Sequence, residues 1–264
     1  MRDAINVVNW NDGAATGERA ILVHGSTTWG TSAFGRQRPL ACRYRLEVVD
    51  RRGYGGSPDV AHSDAVVDAA DIVGLLDDGP AHLVGHSFGT VVALLAAVRT
   101  PGSVRSLTLI EPCCYRAVAD DPVVAAALAR SREALVAAAT RPRPTPAEYL
   151  RMSTEPLDLP PLEPTPARLR AAATAMDERP CWDVEVPLDV VAHAHWPKLV
   201  ISGTWASAPE QYQRLGGEPL LACGRAVAGR IGADLLTVPG AAHEPQWEQA
   251  ESVNAALLGL WDNA

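Results

Sequence analysis

The chain has 264 residues, 47% of them hydrophobic, and a formal net charge of −8, enough apolar material for one large core with an insertion or for two small domains. The acidic balance, with 23 Lys and Arg that are almost all Arg and scattered rather than clustered, argues against a nucleic-acid footprint. No apolar run is long enough for a membrane span and the start, Met1-Arg2-Asp3-Ala4-Ile5-Asn6, lacks the regions of a signal peptide, so a cytoplasmic protein with neither membrane nor nucleic-acid partners is expected.

In chain order, short β-branched runs predict strands at 5–10, 20–23 and 45–49. A helix is predicted over 64–76, with Val66, Val67, Ala70, Val73 and Leu76 on its apolar face. A strand at 81–84 runs through a sharp turn into an Ala/Val/Leu helix, and another strand follows at 104–110. Between Pro112 and Pro197 the strand rhythm stops; helices are predicted over 122–139, 166–176 and 188–194, separated by a proline-punctuated stretch. Strands at 198–202 and 234–238 lead to a last helix over 246–260, with Trp247, Val253, Ala256, Leu257 and Leu260 on one face. Seven strands alternating with helices predict an α/β fold, a mostly parallel sheet covered on both faces. Residues 1–112 and 197–264 would form the core, and 113–196 a mostly helical cap walling a pocket at the carboxyl edge of the sheet.

Five cysteines, Cys42, Cys113, Cys114, Cys181 and Cys223, are odd in number and irregular in spacing, which fits reduced thiols better than a disulfide framework or a metal site. The pair His193 and His195 has neither a third ligand nor a carboxylate at metal-binding spacing, so no metal is expected.

The stretch Ala81-His82-Leu83-Val84-Gly85-His86-Ser87-Phe88-Gly89-Thr90 carries the chemistry. A serine at the apex of a strand-to-helix turn, with glycines two residues to either side, is lifted clear of the sheet and can serve as a nucleophile. With it stand Leu22-Val23-His24-Gly25 after an early strand, Asp50-Arg51-Arg52-Gly53-Tyr54-Gly55-Gly56-Ser57 after the next, and Pro239-Gly240-Ala241-Ala242-His243-Glu244-Pro245 before the last helix. In this order the motifs resemble those of the α/β-hydrolase family over nearly the whole chain, with the cap inserted after the sixth family strand.

The resemblance implies a set of roles. Ser87 would be the nucleophile, His243 its general base, and the backbone N–H groups of Ser26, or its neighbour Thr27, and of Phe88 the oxyanion hole. The family usually places an Asp three residues beyond a glycine after the 198–202 strand, where Gly203-Thr204-Trp205-Ala206 puts Ala206. Glu111, ending the 104–110 strand at the same sheet edge, is the expected replacement acid, with Glu210 the alternative. The displaced acid, the segment Arg179-Pro180-Cys181-Trp182 and the loop 203–209 are also similar, more loosely, to zearalenone-type lactone hydrolases.

Trp29, Phe88, Trp182, Trp196 and Trp205 fall in loop or cap positions, and Trp29, Trp182 and Trp205 are the expected pocket walls for an apolar substrate. The expected activity is therefore hydrolysis of a carboxylic ester or lactone of moderate size through an acyl-enzyme, without cofactor, by a monomer or homodimer. A C–C bond hydrolase or lyase on the same fold, and a non-catalytic binding protein, are the alternatives.

Overall fold

The computed structural model describes residues 4–12 and 17–264. Among the described residues seven strands form one sheet: β1 Val7–Trp10, β2 Arg19–Val23, β3 Arg45–Val49, β4 Ala81–His86, β5 Val104–Ile110, β6 Lys198–Gly203 and β7 Asp234–Val238. Their order is β1-β3-β2-β4-β5-β6-β7, with β1 antiparallel to β3 and every other pair parallel. All seven predicted strands are present. The central strands β2 and β4 are buried along their whole length, as continuous apolar runs covered on both faces must be.

Helices α1 Gly30–Ala33, α2 Ala65–Leu76 and α3 Phe88–Arg99 lie in the first half of the chain. Between β5 and β6 come α4 Pro122–Ala139, α5 Pro146–Met152, α6 Pro166–Ala175 and α7 Leu188–Ala192, and no strand. After β6 follow α8 Glu210–Tyr212, α9 Glu218–Ile231, α10 Pro245–Glu248 and α11 Ala250–Trp261.

The prolines between β5 and β6 begin helices rather than prevent them. Pro122, Pro146 and Pro166 each sit in the first turn behind a capping side chain, Asp121, Thr145 or Thr165, where proline's missing N–H costs nothing. Thr145 and Glu148 close a reciprocal capping box on α5. That helix lies in the proline-punctuated stretch, where no helix is predicted, and Thr-Pro-x-Glu is its signal.

Two predicted faces are corrected. On α2 the buried residues are Ala65, Asp68, Ala69, Ile72 and Leu76, while Val66 is 44% exposed. Small side chains let α2 approach α3 closely, and the charged Asp68 is drawn inward by an ion pair to buried Arg51, which hydropathy alone does not anticipate. The last helix is broken at Gln249 (φ −133°, ψ 53°) into α10 and α11, burying Val253, Leu257 and Trp261 and leaving Trp247 43% exposed. Among the described residues no helix is long and apolar enough to cross a membrane.

Candidate active site

Ser87 stands between β4 and α3 with φ 52° and ψ −120°, a conformation that costs a side-chain-bearing residue about 1–3 kcal/mol. The flanking glycines are required by contact distance. A Cβ on Gly85 would lie 2.3 Å from the Gly89 carbonyl oxygen, and one on Gly89 would lie 2.1 Å from that of Val23, so no larger residue lets α3 pack this closely on β2 and β4. Thr27, Glu111 and Trp205 also have positive φ, and all three lie in loops leaving the carboxyl ends of strands, where strain gathers around a site.

The imidazole of His243, in the loop between β7 and α10, places Nε2 3.1 Å from Ser87 Oγ. Its Nδ1 faces Glu111 Oε2 at 3.9 Å, within ion-pair range and beyond hydrogen-bond reach. Glu111 is wholly buried, and its carboxylate accepts the N–H of Gly203 at 2.6 Å and the indole N–H of Trp205 at 3.3 Å. Burial pushes the His243 imidazole down, but the charges of Glu111, Glu244 and Glu248 outweigh it and hold the group above its ordinary value. The loop is fixed from both sides. Glu248 accepts the N–H groups of Ala242 and Glu244, at 2.8 and 2.9 Å, and His86 Nε2 donates to the His243 carbonyl at 2.8 Å. Burial drives His86 down to about 3, so it remains a neutral donor.

The loop after β2 lies against the serine, since a Cβ on Gly25 would come within 3.0 Å of Ser87 Cβ. Ser26 follows in that loop, and its hydroxyl donates to Glu178. Phe88 is the first residue of α3, so its N–H belongs to the unpaired amides of a helix N-terminus. Beneath both lies the buried guanidinium of Arg51, ion-paired to Asp68 at 3.0 Å and Glu178 at 2.6 Å and packed 3.9 Å under the Phe88 ring. Beside these groups a cavity of about 300 Å³ is lined by Thr27, Thr28 and Ser32, by Leu162 and Arg168, and by Glu244 and Trp247.

The structure brings Ser87, His243, Glu111, Ser26 and Phe88 to one sheet edge, and leaves Glu210 exposed at the start of α8. Trp205 is corrected as a pocket wall. It is 1% exposed, and its indole is committed to the Glu111 carboxylate and packed edge-on against Tyr212. Trp196 lies at the opposite end of the sheet, donating to the Pro101 carbonyl. Trp182 packs on the buried apolar cluster around α3, and Trp29 is half-buried before α1, next to the cavity residue Thr28. Sequence reasoning missed Glu178 and Glu248, which no motif marks, and the inward role of Arg51, which sits in a quoted motif whose two adjacent arginines nothing in the sequence tells apart.

A serine on a strained elbow, an imidazole on its hydroxyl and a buried carboxylate behind the imidazole stand together at the carboxyl edge of this sheet, the edge at which the α/β-hydrolase fold presents its nucleophile elbow. The chain belongs to the alpha/beta hydrolase family, whose profile it matches over residues 20–256. It is similar to the probable lysophospholipase BODYGUARD 1 of Arabidopsis thaliana, 32% identical over 124 residues that cover 42% of this chain and 26% of the relative. It also resembles the pimeloyl-[acyl-carrier protein] methyl ester esterase of Methylococcus capsulatus, 37% identical over 94 residues, 36% of this chain and 37% of the relative. The chain thus spans only 26% and 37% of the lengths of these two relatives. Among solved structures it resembles a thermophilic esterase from Thermogutta terrifontis, with TM-score 0.63 and 25% identity over 97% of this chain and 92% of that one. The N-acyl homoserine lactone degrading enzyme Est816 shares the fold, with TM-score 0.61 and 22% identity over 97% of this chain and 96% of that one.

Proposed function

We propose that this chain hydrolyses a carboxylic ester or lactone of a moderately large apolar substrate through an acyl-enzyme on Ser87. The observation that carries the reading is the 3.1 Å contact from Ser87 Oγ to His243 Nε2 with buried Glu111 behind the ring. His243 Nε2 takes the Ser87 proton as the oxygen attacks the carbonyl carbon. The N–H groups of Ser26 and Phe88 hold the resulting oxyanion, and fixed amides of this kind are worth about 3 kcal/mol each. Glu111 keeps the proton on Nδ1 and stabilises the imidazolium, which then protonates the leaving oxygen. In the second half His243 deprotonates water, water attacks the acyl carbon, and Ser87 is released.

The helical segment 113–196 acts as the cap in this reading. It contributes Leu162 and Arg168 to the cavity lining, and Leu162 together with Trp247 suits an apolar group on the substrate. The ester assignment is in keeping with the methyl ester esterase and lysophospholipase relatives. The lactone alternative rests on the three short segments that resemble zearalenone-type hydrolases.

A fluorophosphonate probe and a panel of p-nitrophenyl esters and lactones test the reading. Labelling confined to Ser87 and a pre-steady-state burst of p-nitrophenol are expected. Labelling without a burst on any ester would point instead to C–C bond cleavage, and an unreactive Ser87 would mark a binding protein.

A further inference from the structure

The buried side chain of Arg51 uses every donor it has. Nε donates to the His24 carbonyl at 3.1 Å, and Nη1 to Ser63 Oγ at 3.1 Å and Asp68 at 3.0 Å. Nη2 donates to the Gly25 carbonyl at 3.0 Å and to Glu178 at 2.6 Å. Five N–H groups meet five acceptors, which a planar guanidinium allows and an ammonium does not.

One of those acceptors has a geometric consequence. In a trans peptide the carbonyl and the following N–H point in opposite directions. Tying the Gly25 carbonyl to Arg51 therefore turns the Ser26 N–H away from Arg51, in a loop that lies against Ser87, where a Cβ on Gly25 would come within 3.0 Å of Ser87 Cβ. The neighbouring contacts remove the remaining freedom. His24 Nδ1 donates to the Gly25 carbonyl at 2.7 Å, Thr27 Oγ1 to the Ser26 carbonyl at 2.7 Å, and the Ser26 hydroxyl to Glu178. The same guanidinium supports the second amide, because the Phe88 ring lies on it at 3.9 Å, a cation–π contact that ties the first residue of α3 to the same plane.

We propose that Arg51 is the positioning residue of the oxyanion hole, aiming the Ser26 and Phe88 amides together, with Glu178 of the helical segment completing its coordination. The inference rests on the esterase reading above and adds to it a group that touches neither substrate nor Ser87. It also makes the helical segment part of the catalytic apparatus, because Glu178 lies between α6 and α7 and reaches Arg51 and Ser26 at once.

The test compares kcat, KM and the Ki of a trifluoromethyl ketone, whose adduct with Ser87 carries the tetrahedral oxyanion, in wild type and Arg51→Lys. Lysine keeps the charge and loses the fork. Deleting an oxyanion donor lowers kcat about 10²- to 10³-fold. Misaiming one is expected to cost about 10- to 100-fold in kcat, with the ketone Ki rising by the same factor and KM within about twofold. A residue that only stabilises the fold would lower the melting temperature without this matched change in kcat and Ki.

Where Arg51→Lys does not fold, the triple substitution Arg51→Met, Asp68→Asn, Glu178→Gln removes the cation with both its carboxylates, leaves no buried charge unpaired, and is read the same way. Wild-type kcat and Ki in a folded variant overturn the inference alone, as does a loss of kcat with unchanged Ki. A wild-type protein that neither cleaves p-nitrophenyl butyrate nor binds the ketone overturns both the esterase reading and the inference.

Discussion

Glu111→Gln tests the proposed triad acid. Glutamine keeps the shape of the side chain, but its NH2 must face a donor, either the N–H of Gly203 or the indole of Trp205. At the 3.9 Å separation from His243 Nδ1, Coulomb's law gives about 1 kcal/mol in a water-like medium and about 4 kcal/mol at an effective dielectric of 20. Losing that attraction for the imidazolium alone slows the reaction by roughly 5- to 1,000-fold. An amide NH2 facing the ring also disfavours the tautomer that leaves Nε2 free to accept the Ser87 proton, and the two effects together approach the ~10⁴-fold loss that a neutralised triad acid causes in serine proteases.

The pH profile of kcat/KM adds a second readout. Because His243 must be neutral to act as base and is held above its ordinary value, the acid limb of the wild type should lie above about pH 6.5. In Glu111→Gln it should move to lower pH, since burial then acts with less opposition. Initial rates on a p-nitrophenyl ester from pH 5 to 9 provide both numbers. Turnover within threefold of wild type, in a variant with unchanged melting temperature, would refute the assignment.

Ser87→Ala and His243→Ala should each remove nearly all turnover, and Ser87→Ala should melt close to wild type because alanine occupies the same strained backbone conformation and adds no contact; residual rates above a few per cent would point to another nucleophile or base. Trp205→Phe removes the indole donor from the buried Glu111 carboxylate, a loss of about 1–3 kcal/mol, and should lower kcat several-fold with little change in KM; an unchanged kcat would show that Gly203 alone orients the acid. His82 is buried between Tyr44 and Trp261, and burial, then the charge of Arg105, lowers it to about 4. The unfolded chain takes up this proton at about 6.5, so the contribution of His82 is present above that value and is lost as pH falls toward 4, by up to ~3 kcal/mol. Urea unfolding should show His82→Gln gaining on wild type over that interval, and a pH-independent difference would contradict the burial argument.

The strands were legible because each is an apolar β-branched run bounded by turn residues, and the elbow because Gly85 and Gly89 are demanded by backbone contacts closer than any Cβ permits. That Ser87 and His243 come together at 3.1 Å followed from their place between such elements. The proposed acid was legible in part. Ala206 at the usual position pointed to a replacement, and Glu111 ends a strand that must finish at the same edge.

Other features depended on contacts between segments far apart in the chain. Trp205 read as a pocket wall because large aromatic rings in loops often are, yet its backbone at φ 61° turns the indole inward onto Glu111. The buried face of α2 was misread because Asp68 is polar in isolation and becomes a core residue only when Arg51 pairs with it. Glu178 lies 127 positions from Arg51 and 152 from Ser26, and no local pattern connects them. Local sequence therefore determined the strands, their order along the chain and the serine elbow, since those depend on propensity, periodicity and short-range sterics. Tertiary structure alone decided which charges are buried together, because a buried ion pair is selected by the geometry and desolvation of both partners, and neither is present until the chain has folded.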